Sequence, residues 1–341
     1  MYFLKEYVED WNHAGSKARM DVESIMKSVG STSLDFKTGG KRRYYVCSIQ
    51  RMMEMKKIKN GDALLIQYPY YCDYLDDLLN NFKKLRNKGA KIIAVIHDLV
   101  SLRPSGDYKI PTKKEVEILN EFDVVISHNK FMSDFLRKNN LKTNIVELEI
   151  FDYIANTGNI HASEDFKRIY IAGNIAKEKS GYIYKDEFTN IKNDVCLYGP
   201  NFEEDQLKNK SKNIYYKGCF KPEDLVNQFS NGFGLIWDGT SIDKCDGELG
   251  EYLKINNPHK TSLYLSIGIP VIIWEEAALS KFVKDNKVGF TIKSLSEIDK
   301  KLKNISFEEY KIMKNNAEKI GAKLTEGYFL KKAVNNALEN F

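Results

Sequence analysis

Residues 232–274 read GFGLIWDGTSIDKCDGELGEYLKINNPHKTSLYLSIGIPVIIW, and the fold class can be inferred from them. Two short apolar runs, residues 232–237 and 269–274, have the length of buried strands. Between them lie a polar segment, predicted to be a loop over residues 240–256, and a helix that begins near Asn257. A strand, a loop, a helix and a second strand form the crossover unit of a parallel sheet, so the stretch predicts an α/β fold.

The start of the predicted helix carries a positive charge in an unfavourable place. Asn257 can cap the helix, and Pro258 suits the first helical position, where a missing N–H has no cost. Lys260 then lies in the first turn, where the helix dipole already supplies about half a positive charge. A diphosphate would relieve this conflict, because free N–H groups, the Lys260 ammonium and the hydroxyls of Thr261 and Ser262 could hold it. The alternative is a Lys260 that points into solvent.

The composition is that of a globular chain with room for two domains. Its 341 residues are 43% hydrophobic and 29% charged. No apolar run approaches the roughly 20 residues that span a bilayer, and the N-terminus lacks the order of a signal peptide, so we expect a cytoplasmic protein. The five cysteines are scattered without CxxC spacing, which predicts reduced thiols. The net charge of +5 is too weak to indicate a nucleic-acid partner.

Basic residues are concentrated in the first third of the chain, with several tyrosines among them. One interpretation is a solvated basic surface. The other is a weak, peripheral contact with the anionic inner face of the cell membrane, because clustered basic side chains add their affinities. The basic residues are Lys41, Arg42, Arg43, Lys56, Lys57, Lys59, Lys83, Lys84, Arg86, Lys88 and Lys91.

Apolar runs between residues 63 and 126 predict three buried strands that alternate with helices. His97 and Asp98 come directly after the second of these strands, and Arg103 follows in the loop. His128 comes just after the third strand. Open parallel sheets place ligand-binding groups at the carboxyl edge, so these side chains are candidates for a site. A purely structural role for the histidines is the alternative.

The N-terminus offers a further candidate. Residues 12–19 resemble a glycine loop that leads into a helix, with Gly15 as its one glycine. His13, Lys17 and Arg19 lie close together and would suit a polar ligand. The alternative is an ordinary capped helix start.

A polar segment over residues 155–167 has little hydrophobic pattern, and we place the domain boundary there. The predicted domains are residues 1–155 and 156–325, and residues 326–341 form a last helix that packs near the domain junction. Early in the second domain, Gly173 and Asn174 open a loop that carries Lys177. A small residue at this bend would let backbone N–H groups approach a phosphate.

The sequence resembles a family of sugar transferases through segments spread over nearly its full length. They include GSKARMD, IHDLVSLR, VVISHN, YIAGN, FGLIWDGTS and, most specifically, GEYLKINNPHKTSLYLSIGIPVIIW. The family is that of the bacterial β-1,6-galactofuranosyltransferases of O-antigen and capsule synthesis. The layout is similar, more distantly, to that of the glucosyltransferases that extend sugars on serine-rich-repeat adhesins.

The resemblance implies a GT-B fold, in which two Rossmann-like domains face a cleft. It implies inverting transfer of galactofuranose from UDP-galactofuranose to a sugar hydroxyl of a lipid-linked glycan. No metal or other cofactor is expected, because helix dipoles and basic side chains can neutralise the departing UDP. The expected partners are therefore a UDP-sugar and a glycan acceptor. The resemblance does not determine the oligomeric state, and a homo-oligomer is one of the options.

The resemblance also assigns roles to the candidate residues. Lys260 and its helix would hold the diphosphate, Tyr198 and Gly199 would border the uracil, and Asp238 would contact sugar or ribose hydroxyls. For the catalytic base the order of preference is Asp98, His13 and His128, with His97 orienting Asp98 or binding substrate. The residues expected to bind donor or acceptor are Gly15, Lys17, Arg19, Arg103, His128, Gly173, Asn174, Lys177, Tyr198, Gly199, Asp238, Asn257, Pro258, His259, Lys260, Thr261 and Ser262.

Other activities fit the same features. A UDP-glucose-dependent glucosyltransferase that acts on a glycan or glycoprotein would need the same diphosphate site. A UDP-sugar epimerase would change the donor without an acceptor. A non-catalytic partner subunit would bind the nucleotide sugar without turnover.

Overall fold

The computed structural model describes residues 1–5, 14–36, 44–70, 75–103, 109–155, 161–207 and 212–341. The chain forms two compact units. Unit 1 comprises residues 1–9, 18–148 and 329–341, and unit 2 comprises residues 10–17 and 149–328. Within the described ranges, no helix is long and apolar enough to cross a bilayer.

Unit 1 is built on a parallel sheet of six strands. The strands are β1 (Tyr2–Leu4), β2 (Thr32–Leu34), β3 (Ala63–Tyr68), β4 (Lys91–Ile96), β5 (Val124–Ser127) and β6 (Asn144–Glu147). Their order in the sheet is β2-β1-β3-β4-β5-β6. The helices of this part of the chain are α1 (Ala14–Ser28), α2 (Tyr44–Met55), α3 (Leu75–Asn87), α4 (Thr112–Leu119) and α5 (Lys130–Lys138).

The central strands of unit 1 follow directly from the sequence. Every residue of β3 and β5 is buried, as expected for a parallel sheet covered on both faces. The three strands predicted between residues 63 and 126 are confirmed. Strands β1 and β2 were not predicted, because three residues are too few to show a hydrophobic period.

Unit 2 is built on a second parallel sheet of six strands. The strands are β7 (Ile169–Ala172), β8 (Val195–Tyr198), β9 (Ile214–Tyr216), β10 (Phe233–Ile236), β11 (Val271–Trp274) and β12 (Gly289–Ile292), in the order β12-β11-β10-β7-β8-β9. The helices are α6 (Lys177–Ser180), α7 (Asp186–Thr189), α8 (Pro222–Leu225), α9 (Gly247–Leu253), α10 (His259–Ser266), α11 (Ser280–Asp285), α12 (Ile298–Asn304) and α13 (Phe307–Thr325). The last helix is α14 (Tyr328–Leu338), which belongs to unit 1 from residue 329 onward.

Helix α10 is fixed tightly against the sheet of unit 2. Gly234 in β10 leaves room for the ring of Tyr264, which any side chain at position 234 would strike. The Tyr264 hydroxyl accepts a hydrogen bond from the Ala172 N–H at 2.8 Å and donates one to the Tyr170 carbonyl at 3.0 Å. This buried link holds α10 beside β7 and β10, so the start of the helix has a defined position at the sheet edge.

The structure corrects two predictions in the central stretch. The predicted loop over residues 240–256 contains helix α9 (Gly247–Leu253). The predicted cap was also wrong: Pro258 occupies the N-cap position with an extended backbone. Asn257 instead donates its side-chain amide to the Glu149 carbonyl at 3.0 Å. The crossover from β10 through α10 to β11 is nevertheless confirmed.

Two helices of unit 2 are short. Helix α8 ends at Leu225 and continues as a 3-10 turn over Val226–Gln228. Helix α11 spans only Ser280–Asp285.

Candidate functional site

The candidate donor site lies where strands β7, β8 and β10 of unit 2 end. Neighbouring parallel strands end at the same edge of the sheet, and loops at this edge carry most of the predicted donor-binding residues. Helix α10 begins at this edge, because Lys260 in its first turn contacts Asp238 directly after β10. The predicted donor-binding groups after β10 and at the start of α10 therefore lie at the same edge of the sheet.

Lys260 is held inside the site and does not point into solvent. Its ammonium Nζ donates to Asp238 Oδ1 at 2.8 Å and to the Trp237 carbonyl at 2.9 Å. The two charged side chains are only 16% and 9% exposed. The positive charge near the helix start is thus balanced by a carboxylate of the chain itself.

The loop that carries Asp238 is itself fixed by a second carboxylate. Asp246 accepts hydrogen bonds from the Thr240 N–H, from the Thr240 hydroxyl at 3.0 Å and from the Ser241 N–H at 3.3 Å. Burial alone would raise the pKa of Asp246, but these hydrogen bonds hold it below its ordinary value. The Gly239 N–H donates to the Lys179 carbonyl at 2.7 Å, which ties the loop to α6. Sequence reasoning missed Asp246.

The turns after β7 and β8 approach each other closely. Gly199 has a φ of 143°, and a side chain there would collide with the Gly173 carbonyl. The Gly173 N–H donates to the Tyr198 carbonyl at 2.9 Å. Gly173 has a φ of 127°, yet a side chain there would meet open space. The space beside Gly173 is therefore open to a ligand, although the Gly173 N–H itself is already hydrogen-bonded within the chain.

Three other predicted donor-binding side chains take part in the protein's own structure. Asn174 Oδ1 accepts from the Ala176 N–H at 3.0 Å, and Lys177 Nζ donates to Gln206 Oε1 at 2.8 Å. The buried Tyr198 donates its hydroxyl to the Gln228 carbonyl at 3.2 Å, and burial raises its pKa to about 12. These side chains shape the loops at this edge.

Residues 149–154 cover one side of the start of α10. Asn257 donates to the Glu149 carbonyl, and Ser262 Oγ donates to the Phe151 carbonyl at 2.6 Å. The Thr261 side chain is fully buried. The Ser262 hydroxyl is therefore bonded to the chain itself, and the Thr261 side chain is closed off from solvent.

His259 belongs to the same covered side of α10. Its ring lies 5.0 Å from the Tyr153 ring, centroid to centroid. Lys17 Nζ lies 4.4 Å from the centre of the same tyrosine ring and donates to the Ile154 carbonyl at 2.8 Å. Burial and the nearby Lys17 charge lower the pKa of His259 to about 3, so the imidazole is neutral near pH 7. Lys17 and His259 thus both lie against the Tyr153 ring.

A second group of predicted residues meets at the carboxyl edge of unit 1. Arg103 Nη1 donates to both oxygens of Asp98, at 2.9 and 2.8 Å. The Asp98 and Arg103 side chains are 27% and 41% exposed, so both can reach a ligand. The arginine holds the carboxylate in one orientation.

The histidines of unit 1 have different surroundings. His97 Nε2 lies 2.7 Å from Gln67 Oε1, and the Gln67 amide donates to the Arg19 carbonyl at 3.3 Å. His128 is buried, and its Nε2 lies 3.1 Å from the Ile96 carbonyl. Burial lowers the pKa of His128 to about 4, against the opposing effect of Asp98, so His128 is neutral at pH 7. The His128 side chain is thus buried next to the end of β4.

Glu115 supports the loop that carries Asp98 and Arg103, and sequence reasoning missed it. This buried carboxylate accepts from the Tyr68 hydroxyl at 2.9 Å, the Val100 N–H at 2.7 Å and the Ser101 N–H at 3.0 Å. Its position within an amphipathic helix gave no sign of this role.

The N-terminal candidate residues differ in how exposed they are to solvent. Gly15 is exposed, whereas Arg19 is buried and donates Nη2 to the Pro69 carbonyl at 2.7 Å. His13 lies outside the described residues.

Two six-stranded parallel sheets, each with charged groups at its carboxyl edge, form the GT-B fold, and comparison with solved structures agrees. The chain belongs to the glucosyltransferase 3-like family: the family's N-terminal domain matches residues 1–150 and its C-terminal domain matches residues 169–337. It is therefore a hexosyltransferase, as predicted.

Two relatives match nearly the full length. The chain is 31% identical to the β-1,6-galactofuranosyltransferase WbbI of Escherichia coli K12, over 100% of this chain and 99% of that protein. It is 26% identical to glucosyltransferase 3 of Streptococcus gordonii, over 94% of this chain and 93% of that protein. Both families named from the sequence are thus represented.

Solved structures confirm the predicted fold class. Sucrose-phosphate synthase from Thermosynechococcus elongatus superposes with a TM-score of 0.62 at 11% identity, over 98% of this chain and 97% of that one. A glycosyltransferase from Rickettsia africae superposes with a TM-score of 0.61 at 13% identity, over 99% and 97%. At these identities the likeness concerns the fold alone.

Proposed function

We propose that the protein transfers galactofuranose from UDP-galactofuranose to a sugar hydroxyl of a lipid-linked glycan, in the synthesis of a cell-surface polysaccharide. The sugar is suggested by the match to WbbI, whose name describes a β-1,6-galactofuranosyltransferase. The structural observation that carries the donor side is the largely buried pair of Lys260 and Asp238 at the start of α10. The reaction would take place in the cytoplasm, at the inner face of the membrane that holds the acceptor.

The donor's diphosphate would become a partner of Lys260 at the end of β10. The ammonium already lies at a helix N-terminus, where N–H groups without intrahelical partners attract anions. The turn at Gly173, where no neighbouring atom fills the space beside the backbone, would leave room for the phosphates. We propose that these groups neutralise the departing UDP without a metal ion.

Asp98 is the proposed catalytic base. The acceptor hydroxyl would give its proton to the Asp98 carboxylate while its oxygen attacks the anomeric carbon. The bond between that carbon and the β-phosphate oxygen would break, and UDP would leave with the bonding electrons, which inverts the configuration. Arg103 holds both Asp98 oxygens and would set the direction of the carboxylate.

A transfer assay tests this function. Purified protein is incubated with a lipid-linked glycan acceptor and, separately, UDP-galactofuranose, UDP-galactose or UDP-glucose, and UDP release and product linkage are measured. We expect transfer from UDP-galactofuranose in preference to the two pyranose donors. Equal or better transfer from UDP-glucose would contradict the proposed donor.

A UDP-glucose-dependent glucosyltransferase is the second candidate, because two streptococcal glucosyltransferase 3 relatives match at 26% and 24% identity. The same assay decides between the two donors. Donor conversion without an acceptor would instead indicate an epimerase, and UDP binding with no turnover would indicate a non-catalytic subunit.

A further inference from the structure

Helix α2 (Tyr44–Met55) presents a row of apolar side chains to solvent. Val46 is 70% exposed, Ile49 57%, Met52 56% and Met53 63%. Positions 46, 49 and 53 lie three and four residues apart and therefore share one face of the helix, and Met52 borders it. Four large apolar side chains this exposed on one helix indicate an interaction surface, because exposed apolar side chains that have no function are usually scattered singly.

The opposite side of α2 is packed into unit 1. Cys47, Arg51 and Met55 are each about 95% buried, with exposures of 6%, 6% and 5%. Arg51 Nη2 also lies 3.9 Å from the Asp77 carboxylate in α3. The helix is thus anchored by one face, and the exposed row is left for a partner.

The charge around α2 indicates which partner. Residues 41–59 contain seven basic side chains and one acidic one, Glu54. Lys57 pairs with Glu54 at 2.6 Å, whereas Lys56 and Lys59 extend from the end of the helix as exposed cations. Residues 41–43 supply three of the seven positive charges in the sequence but lie outside the described residues.

This combination favours an anionic membrane over a second copy of the chain. A two-fold dimer through α2 would bring the same basic segments of both copies together, and like charges at that interface would repel. An anionic lipid surface satisfies both features, because the apolar row can enter the headgroup boundary while the lysines meet the lipid phosphates.

We propose that α2 docks the protein onto anionic membranes, lying in the plane of the interface with Val46, Ile49, Met52 and Met53 turned toward the lipid. Its twelve residues form a contact about 18 Å long. The basic residues provide attraction at a distance, and the apolar row provides contact. This surface is compatible with a lipid-linked acceptor but does not depend on the identity of the sugar.

Vesicle sedimentation tests the proposal. The full chain is mixed with vesicles of phosphatidylethanolamine and phosphatidylglycerol, or of phosphatidylcholine alone, and the bound fraction is measured at low and high salt. We expect binding to the anionic vesicles, weakened by salt, and at least tenfold weaker binding to phosphatidylcholine. Ile49→Asp should reduce binding to anionic vesicles about tenfold, and Lys56→Glu with Lys59→Glu should reduce it to a similar degree.

Ile312→Asp is the matched control, because Ile312 in α13 is 56% exposed and the substitution is the same. It should bind vesicles like the wild type. Equal binding by Ile49→Asp and the wild type would overturn the proposal. So would an Ile49→Asp variant that changes only the molar mass measured by light scattering, since that result would assign the face to self-association. Transfer to a soluble acceptor should be unchanged by Ile49→Asp, which separates this test from that of the proposed reaction.

Discussion

The ammonium of Lys260 lies 2.8 Å from a carboxylate oxygen of Asp238, and the chain buries most of both side chains. The charge that should receive a diphosphate is therefore already paired with a carboxylate of the chain. A diphosphate that approaches Lys260 also approaches Asp238, and two anions near one cation repel each other. Removing the charge of Asp238 and removing the charge of Lys260 should therefore have opposite effects on UDP affinity.

Removing the charge of Asp238 should tighten UDP binding. Asp238→Asn keeps the shape of the side chain but eliminates the repulsion between the carboxylate and the phosphates, so we expect about tenfold higher affinity for UDP, or about 1.4 kcal/mol. Isothermal titration calorimetry measures the change. Asp243→Asn, an exposed position in the same loop, is the control and should bind like the wild type. Weaker UDP binding by Asp238→Asn would show that the carboxylate supports the site.

Asp98→Asn should separate catalysis from donor binding. An amide cannot accept the acceptor proton, so turnover should fall about 100-fold to 10,000-fold, the range for loss of a general base. UDP affinity should stay within about twofold, because the donor site is assigned to unit 2. Steady-state kinetics and UDP titration measure the two effects. Asp134→Asn, at an exposed ion pair of the same unit, is the control. Normal turnover in Asp98→Asn would exclude Asp98 as the base.

Glu115→Gln should act on turnover through the loop that follows β4. The carboxylate accepts from two consecutive N–H groups of this loop, and an amide in its place must leave a buried donor unpaired, which costs about 1–3 kcal/mol. We expect a lower melting temperature and a fall in kcat that exceeds the change in KM, as Asp98 and Arg103 lose their fixed positions. Glu117→Gln on the exposed side of the same helix should change neither. A lower melting temperature with unchanged kcat would assign Glu115 to stability alone.

His128 should make the stability of unit 1 depend on pH. Its pKa is about 4 in the folded chain and about 6.5 when unfolded, so the unfolded chain alone gains this proton as the pH falls below 6.5. The contribution is complete above pH 6.5 and is lost as the pH falls toward 4. Between pH 7.5 and pH 5 this amounts to about 2 kcal/mol.

Urea unfolding at pH 7.5 and pH 5 measures this effect in the wild type and in His128→Asn. The variant should lose about 2 kcal/mol less stability over the interval. His161→Asn, at an exposed histidine, should behave like the wild type. An identical pH dependence in His128→Asn and the wild type would contradict a buried neutral His128.

Much of the fold could be predicted because its central strands are long apolar runs. The apolar runs over residues 63–68 and 91–96 predict buried strands. The ends of the predicted strands then place Asp98 and His128 at one edge of the sheet. Helix α9 escaped prediction because its seven residues contain two glycines and few apolar positions. Such a short helix produces no recognisable hydrophobic period in the sequence.

The site was predictable only as far as sequence position determines it. The edge that carries Lys260, Asp238 and Gly173 follows from strand direction alone. Partners from distant segments do not: Asn257 bonds to Glu149, 108 positions away, instead of capping its own helix. Glu115 likewise depends on the loop that packs against it, and a buried glutamate in a helix has no local signal.

The most direct test of a donor site at the start of α10 is UDP binding to the wild type, to Lys260→Ala and to Lys281→Ala, without added metal. Lys281 is an exposed lysine of the same unit, and its variant controls for the loss of charge. We expect micromolar-range binding that Lys281→Ala leaves unchanged and that Lys260→Ala weakens about 10-fold to 100-fold, the value of a hydrogen bond to a charged group. Equal affinity of Lys260→Ala and the wild type would contradict the assignment of the diphosphate to Lys260.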